Sequence, residues 1–445
     1  MLLGAILLTA MWGASLSGWT IMYGISIFCF AVGVGGEYPM TSTTAMEGKK
    51  DKDDRTHRGR SVCLAFLMQG WGQLVNQLAL ILIMLVFNQT HSLKPPYGEI
   101  ATQITFRVTF AFAAVCLVYF LYLRIYGRGG ARSNERSSGK NRGYDFDALR
   151  FCVEHYWHRI LATSMCWFCS DFPFYGNQVF RNKLLELVTE TSPERGDVLW
   201  LYNLINIACE LAGYYLAALL VDHKAYGRRR IQLVGFGMMF VLFVIAAGAF
   251  PMLNQPGTGA RVFQAIFFLS NFWVQFGPNS TTFLVAGEVY PSSVRATAHG
   301  FSAAVGKSGA LAATVLYNYI EDRTKFWLVS LCTLVGFILT FVFIPDTTGL
   351  DLTEQQRYWQ QVLEGREEEY HGIAVHPQHL SWFEWAVLKR GRSYDPKLDR
   401  DNRIAELRAT YAKEQTTEGE YDEQIDDNVR RYFELERACA DGQPS

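Results

Sequence analysis

The chain has 445 residues, 50 % of them hydrophobic and 14 % aromatic, and its 41 basic and 42 acidic side chains leave a net charge of −1. Such a balance leaves no basic excess for a polyanion, so no nucleic-acid partner is expected. A mean hydropathy of +0.05 would suit a soluble enzyme, but the average hides a division: apolar windows recur as far as residue 345, and from about 346 the composition is charged and polar.

Met1 is followed directly by an apolar run with no basic flank and no small-residue cleavage site. The chain therefore reads as starting inside a membrane domain, without a cleaved signal peptide. Windows long enough for a helix to cross hydrocarbon lie near 2–16, 20–43, 62–87, 106–125, 158–180, 198–221, 231–251, 262–287, 299–320 and 326–345, about ten spans by hydropathy. The expected fold is all-α and polytopic. Residues 1–125 would form one helix bundle, 126–157 a cytoplasmic linker, 158–345 a six-helix bundle and 346–445 a soluble tail.

Basic residues set the orientation. Lys49, Lys50, Lys52, Arg55, Arg58 and Arg60 crowd one loop; Arg124, Arg128, Arg132, Arg136, Lys140 and Arg142 another; Lys224, Arg228, Arg229 and Arg230 a third. The alternate loops are poor in basic residues: 88–105 contains Lys94 and 251–260 none. The positive-inside rule places the first set, and with it both termini, in the cytoplasm. Asn88-Gln-Thr90 is then a glycosylation acceptor in an outside loop, whereas Asn279-Ser-Thr281 lies unreachable within a span.

A polar side chain at mid-membrane costs a few kcal/mol unless it meets partners or water, which makes it a functional candidate. Trp167, Asp171 and Tyr175 follow i, i+4, i+8 spacing and share a helix face. Gln69, Gln73 and Asn76 form a similar stripe, as do Asn271, Gln275 and Asn279; Lys307 and Asn318 lie in a later span, and Glu37 and Tyr38 interrupt 20–43 just before Pro39. Together the stripes outline a wet central cavity. Amides alone could equally serve as glue between helices, but Asp171, Glu37 and Lys307 are poor glue and better suited to a substrate-and-proton site. Lys307 suits phosphate oxygens as a point charge, and tyrosine hydroxyls, indole N–H and amides add donors. A carboxylate desolvated beside a bound anion favours its protonated form, so Asp171 would take up a proton when substrate binds.

Five ordered elements carry a family resemblance. Gly33-Val-Gly-Gly-Glu-Tyr-Pro39, Phe276-Gly-Pro-Asn279-Ser-Thr-Thr282 and Gly287-Glu-Val-Tyr-Pro-Ser-Ser-Val-Arg295 resemble motifs of the phosphate:proton symporter family of the major facilitator superfamily. So do the segment His299 to Ala310, with Lys307, and W-x-x-x-D-x-x-x-Y at 167–175; Pro345-Asp-Thr-Thr-Gly-Leu-Asp-Leu352 is similar to the sequence after the last helix of many relatives. The resemblance covers about residues 1–352, and its flavour is that of the fungal phosphate and glycerophosphodiester permeases.

The resemblance implies a symporter of phosphate or a phosphorylated organic anion, working by alternating access in the plasma membrane. Tyr38, Gln69, Trp167, Asp171, Tyr175, Asn279 and Lys307 would surround the anion; Asp171 and Glu37 would carry protons; Glu288 and Arg295, with Asp222 and Arg228 in a loop echoing the family's G-x-x-x-D-R-x-G-R-R, would close the cytoplasmic gate. Compared with the family's twelve helices, the first two are missing and with them a proton-path aspartate, so the chain reads as an incomplete form. Pro173 beside Asp171 is a second departure, and either kinks the helix or is already accommodated by its neighbours.

Elsewhere, Cys166-Trp-Phe-Cys169 has C-x-x-C spacing without the soluble strand-to-helix context of a redox motif. His371, His376 and His379 fit no metal-binding helix face, and no cofactor or metal is expected. Residues 380–388 suit a membrane surface, and 396–437 reads as charged helix that could bind a cytoplasmic regulator. A nutrient sensor would explain the tail yet would not need a protonatable Asp171 together with a gate pair. No H-E-x-x-H, G-x-S-x-G or P-loop supports an intramembrane enzyme. A proton-coupled carboxylate or sugar transporter is the alternative within the transporter class.

Overall fold

The computed structural model describes residues 1–13, 15–47, 57–88, 93, 97–126, 146–179, 196–255, 257–416, 429 and 431–433. Within hydrocarbon, each backbone N–H and C=O needs a partner inside the protein, which a helix supplies from its own chain. All ten apolar windows are helical. They comprise α1 (Leu2–Ala10), α2 (Leu16–Glu47), α3 (Arg58–Phe87), α4 (Glu99–Tyr126), α5 (Phe146–Val179), α6 (Gly196–Leu220) and α7 (Gly227–Gly248). After the short α8 (Phe250–Leu253) come α9 (Thr258–Val274), a π turn (Gln275–Asn279), α10 (Ser280–Glu288), α11 (Arg295–Leu316) and α12 (Asp322–Phe343). The first window is the least complete, since α1 covers nine of its residues.

Among the described residues, six helices (α2, α3, α4, α6, α7 and α12) are long and apolar enough to cross a membrane by length and composition. The others include α5, α9 with α10, and α11, which carry Asp171, the Asn271 stripe and Lys307. Polar and small residues lower their mean hydropathy, and the π turn divides what would otherwise be one span.

The first 351 residues, with Ser381–Phe383, form one compact unit. In it α1 packs on α2 and α4, and α3 on α4, while α5 packs on α11 and α12, α7 on α12, and α9 on α6. Contacts of α3 with α6 and of α2 with α11 join the two sets. Phe172, Phe174, Met239, Phe243, Phe263, Phe267 and Phe326 make one buried cluster, with the rings of Phe263 and Phe326 5.5 Å apart. Lipid tails are as apolar as these side chains, so close packing rather than expulsion from water holds the helices together. Glycine permits that packing: a Cβ at Gly309 of α11 would lie 2.6 Å from the Phe168 carbonyl of α5.

Residues 127–145, with most of the basic loop, lie outside those described, and within the stretch expected as linker the chain is helical from Phe146. While α5 continues through Pro173, between that part and the expected span its backbone is non-helical at Tyr156 (φ −117°, ψ 22°). There the Arg159 guanidinium sits 4.4 Å over the Tyr156 ring.

The second compact unit comprises Leu352–Leu380 and Glu384–Ser445. Its α13 (Leu352–Leu363) buries Gln355, Tyr358, Trp359 and Val362, the face expected of an amphipathic helix. Four 3₁₀ turns follow, and α15 (Pro396–Thr416) comes after α14 (Trp382–Ala386). The histidines weighed as metal ligands have local partners: the His371 Nδ1 lies 2.6 Å from the Ser393 carbonyl, and His376 accepts from the Gln378 N–H at 3.1 Å. In the first unit Phe383 packs on Phe343, with ring centres 5.2 Å apart, while Trp382 and Trp385 of the 380–388 segment are exposed.

Candidate functional site

Three helices bring the central group together. From α11, the Lys307 Nζ donates to Asp171 Oδ2 at 3.0 Å and to the Tyr175 hydroxyl at 2.8 Å, both on α5. The same ammonium lies 5.0 Å from the ring centre of Tyr38 on α2 and 4.2 Å from that of Tyr175. Trp167, one turn before Asp171, packs its ring 6.0 Å from Tyr38 and 5.4 Å from His299. This approach depends on Gly306, where a Cβ would stand 2.6 Å from the Trp167 ring.

Burial within the group is unequal. The Asp171 side chain is 1 % exposed, but that of Lys307 is 38 % exposed. The cation is thus open on one side and held by an enclosed carboxylate on the other.

Asn279 stands in a different layer. Its Nδ2 donates to Gln275 Oε1 at 2.6 Å and to the Tyr214 hydroxyl at 3.3 Å. Gln69 is half-buried on α3, and among the described residues no hydrogen bond joins it to the Lys307 group. Of its stripe, Asn76 is exposed; the neighbouring Gln77 is the buried amide and accepts from Asn203 at 2.8 Å. Asn318 is also exposed, capping α11 by donating to the Thr314 carbonyl at 2.8 Å. Glu37 pairs with Arg124 of α4 at 2.8 Å, an ion pair whose members are 34 % and 65 % exposed, rather than with Lys307.

The partner of Glu288 is not the one suggested by sequence proximity. Glu288 accepts from Arg58 Nε at 2.7 Å and from Arg228 Nε and Nη2 at 3.1 and 3.0 Å. Asp222 completes the cluster at 2.7 Å from Arg228 Nη1, while Arg295 donates to the Tyr290 carbonyl at 3.3 Å. Arg228 and Glu288 are both fully buried. Gly59 allows this approach, since a Cβ there would meet Asp222 Oδ1 at 2.5 Å. The cluster ties α3 to the ends of α6, α7 and α10.

Of the expected glycosylation pattern, Asn88 is 1 % exposed, while Gln89 and Thr90 lie outside the described residues. Cys166 and Cys169 are buried free thiols, and Cys166 sits 3.4 Å from Thr340 Oγ1.

The sequence reading missed Glu210. It is fully buried on α6 and accepts from Asn206 at 2.8 Å, Gln275 at 3.3 Å and Gln178 at 3.4 Å. Its signal was present: Asn206, Glu210 and Tyr214 lie at i, i+4 and i+8 of an apolar window.

The fold is shared with solved structures of membrane proteins. A proton:xylose symporter bound to 6-bromo-6-deoxy-D-glucose superposes with a TM-score of 0.58 at 16 % identity, covering 80 % of this chain and 82 % of that one. A D-xylose–proton symporter gives 0.52 at 18 % identity, covering 78 % and 81 %. The chain is therefore an integral, multi-pass membrane protein with the major facilitator fold.

Sequence comparison is more particular. The family described as "Sugar (and other) transporter" matches residues 168–359. A putative inorganic phosphate transporter of Schizosaccharomyces pombe is 27 % identical, over 74 % of this chain and 68 % of the relative. Inorganic phosphate transporter 1-6 of Oryza sativa subsp. japonica is also 27 % identical, over 74 % and 70 %. A repressible high-affinity phosphate permease of Neurospora crassa is 29 % identical, over 65 % and 58 %. The chain is thus similar in sequence to inorganic phosphate transporters, in keeping with the resemblance carried by its ordered motifs.

Proposed function

We infer that this chain carries the substrate site of a proton-coupled symporter for phosphate or a phosphate-bearing organic anion, working by alternating access in the plasma membrane with both termini in the cytoplasm. The observation that carries the reading is the Lys307 ammonium, open on one side and bonded on the other to the enclosed Asp171 and to Tyr175. An oxyanion arriving at the open side takes over the ammonium, leaving Asp171 a desolvated carboxylate beside a negative charge. That state is relieved when Asp171 takes up a proton, so anion and proton enter together. Release of the proton on the inner side returns Asp171 to Lys307 and expels the anion. Tyr38, Tyr175 and Trp167 add neutral donors and aromatic walls, and the names of the sequence relatives support phosphate as the anion.

In this reading the Arg58, Arg228, Glu288 and Asp222 cluster closes the cytoplasmic end between the two helix sets, with Arg295 beside it. Glu37, bonded to Arg124, serves the proton path on the α2 side, and the tail offers a docking place for a cytoplasmic regulator.

The test is uptake of labelled phosphate into proteoliposomes containing the chain, with and without an inwardly directed proton gradient, alongside Asp171→Asn. Gradient-driven accumulation lost in the variant supports the reading. Phosphate binding and uptake absent under every condition, with the fold intact by circular dichroism, would overturn it.

A further inference from the structure

The seam between α5 and α11 stays polar beyond the Lys307 group. Lys307 meets Asp171, Gly306 meets Trp167, and nearer the start of both helices Ser302 meets Thr163 and Ser164, with oxygens 2.9 and 3.4 Å apart. Thr163 in turn lies 2.6 Å from the hydroxyl of Tyr290, which follows Glu288 by two residues. Four buried hydroxyls thus form one connected group leading from the ion pair toward the Glu288 cluster.

His299 shares the Ser302 face of α11 at i, i+3. Its imidazole is fully buried, with the ring centres of Trp167 and Phe283 5.4 and 5.3 Å away and both rings nearly perpendicular to it. Neither ring nitrogen has a hydrogen-bond partner among the described residues. Perpendicular rings give an N–H a weak contact at most and a lone pair none, and buried polar atoms without partners are rare enough to call for a function. A phenylalanine would fill the same aromatic box without leaving two polar atoms unsatisfied. The ionisable groups of the helices packed on α11 are engaged elsewhere. On α5, Asp171 and Tyr175 bond Lys307, Arg159 donates to the Val289 carbonyl and His158 packs on Phe383. Tyr38 of α2 faces Lys307 and Glu37 pairs with Arg124; Glu288 of α10 holds Arg58 and Arg228, and Arg295 donates to the Tyr290 carbonyl.

We propose that His299, with the Ser302, Thr163 and Tyr290 hydroxyls, carries the coupled proton from Asp171 toward the Glu288 end. The inference rests on the symport reading and supplies its release step. The Asp171 carboxyl gives its proton to the lone pair of one His299 ring nitrogen, which leaves an imidazolium and a carboxylate that pairs again with Lys307. The imidazolium loses a proton from its other nitrogen to the hydroxyl group; each oxygen there accepts one proton and passes its own to the next, and the last goes to water beyond Tyr290. Imidazole suits this task because it accepts on one nitrogen and donates from the other, and ionisable side chains inside membrane helices mark such relays. With no hydrogen bond to break, a turn of the ring between Asp171 and Ser302 is resisted by packing alone. Trp167, in contact with His299 and one turn from Asp171, gates the first transfer.

The experiment follows labelled inorganic phosphate in proteoliposomes containing the full chain, in two modes: net uptake driven by an inward proton gradient, and exchange into vesicles loaded with unlabelled phosphate at equal pH. Net uptake requires the proton to leave Asp171 in every cycle, whereas exchange returns the loaded, protonated site and does not. His299→Gln, which stays polar but takes up no proton, is expected to slow net uptake about 10-fold or more, as loss of a proton-transfer group does, while exchange and equilibrium phosphate binding persist. Thr163→Val, which removes one hydroxyl and keeps the branched shape, gives the same split and decides the matter if His299→Gln does not fold. Net uptake and exchange that fall together assign these residues a packing role and overturn the route; net uptake unchanged in the variants overturns it as well. A parent chain that binds phosphate without gradient-driven accumulation sinks the symport reading and the route with it, whereas a parent that accumulates phosphate and variants that match it remove the route alone.

Discussion

Lys307 and Asp171 form an asymmetric pair: the two side chains meet at 3.0 Å, yet the cation is 38 % exposed and the carboxylate 1 %. If proton uptake by Asp171 frees Lys307 for the substrate, Asp171→Asn mimics the protonated form permanently. Substrate binding is expected to persist and to lose its dependence on pH, while a proton gradient no longer drives accumulation. The amide carbonyl can still accept from Lys307, so the stability cost should be about 1 kcal/mol. Equilibrium binding and gradient-driven uptake in one preparation check this; uptake that still follows the gradient would remove Asp171 from the coupling path.

Gly306 is a second control point for the same site. An added methyl would stand 2.6 Å from the Trp167 ring, and Trp167 is 2 % exposed with nowhere to retreat. Gly306→Ala is expected to push the indole away from α11, destabilise the protein by about 1–3 kcal/mol as overpacking does, and weaken anion binding. Thermal melts and titration with phosphate check it. Unchanged melting and affinity would mean that the α5 to α11 seam is looser than its geometry indicates.

Much of the site was legible in the sequence because membrane helices make polar residues conspicuous. Asp171, Tyr175, Lys307 and Asn279 interrupt apolar windows at helical spacing, and three of them meet at Lys307 Nζ. Partner choice was less legible. Glu288 and Arg295 are seven residues apart, but the partners that reach Glu288 are Arg58, 230 residues away, and Arg228, 60 away, a matter of tertiary packing. The proline rule marks Pro173, whereas the non-helical backbone of α5 lies at Tyr156, which carries no local breaker signal. Glu210 has the spacing of the other stripes, but its partner Gln275 comes from a distant helix and is set by tertiary packing.

In the second compact unit, Arg357 joins α13 to α15. It bonds Asp399 at 2.9 Å and lies 3.5 Å from Glu406 Oε2, both on α15, and 3.4 Å from Glu354 on its own helix. The carboxylates raise the Arg357 pKa even though burial opposes them, so the cation persists throughout the accessible pH range. Arg357→Ala is expected to release α15 and speed tryptic cleavage within 400–412. Because the acidic partners are partly exposed, the loss is about 1 kcal/mol, and high salt should reproduce part of it. Cleavage that is equally slow in the variant would show that α15 is held by other contacts.

The Glu288 cluster separates a gate from a mere structural clasp. Glu288 holds two buried arginines, one from α3 and one from α7, so Glu288→Ala leaves both without their shared carboxylate and should destabilise the closed form by about 3–5 kcal/mol. Cys63 on α3, 1 % exposed and within electrostatic range of Arg228 and Glu288, reports on the result. If the cluster is a gate, its loss favours an inward-open state: a membrane-impermeant thiol reagent applied from the cytoplasmic face should label Cys63 at least about 10-fold faster, since 1.4 kcal/mol of shifted equilibrium suffices for that factor. The melting temperature of the open form need not fall in proportion. If the cluster is only a clasp, the variant loses thermal stability and labels every buried cysteine alike, Cys166 and Cys169 included. Selective labelling of Cys63 therefore decides between them, and phosphate would be expected to slow it in the gate case by drawing the helices closed around Lys307.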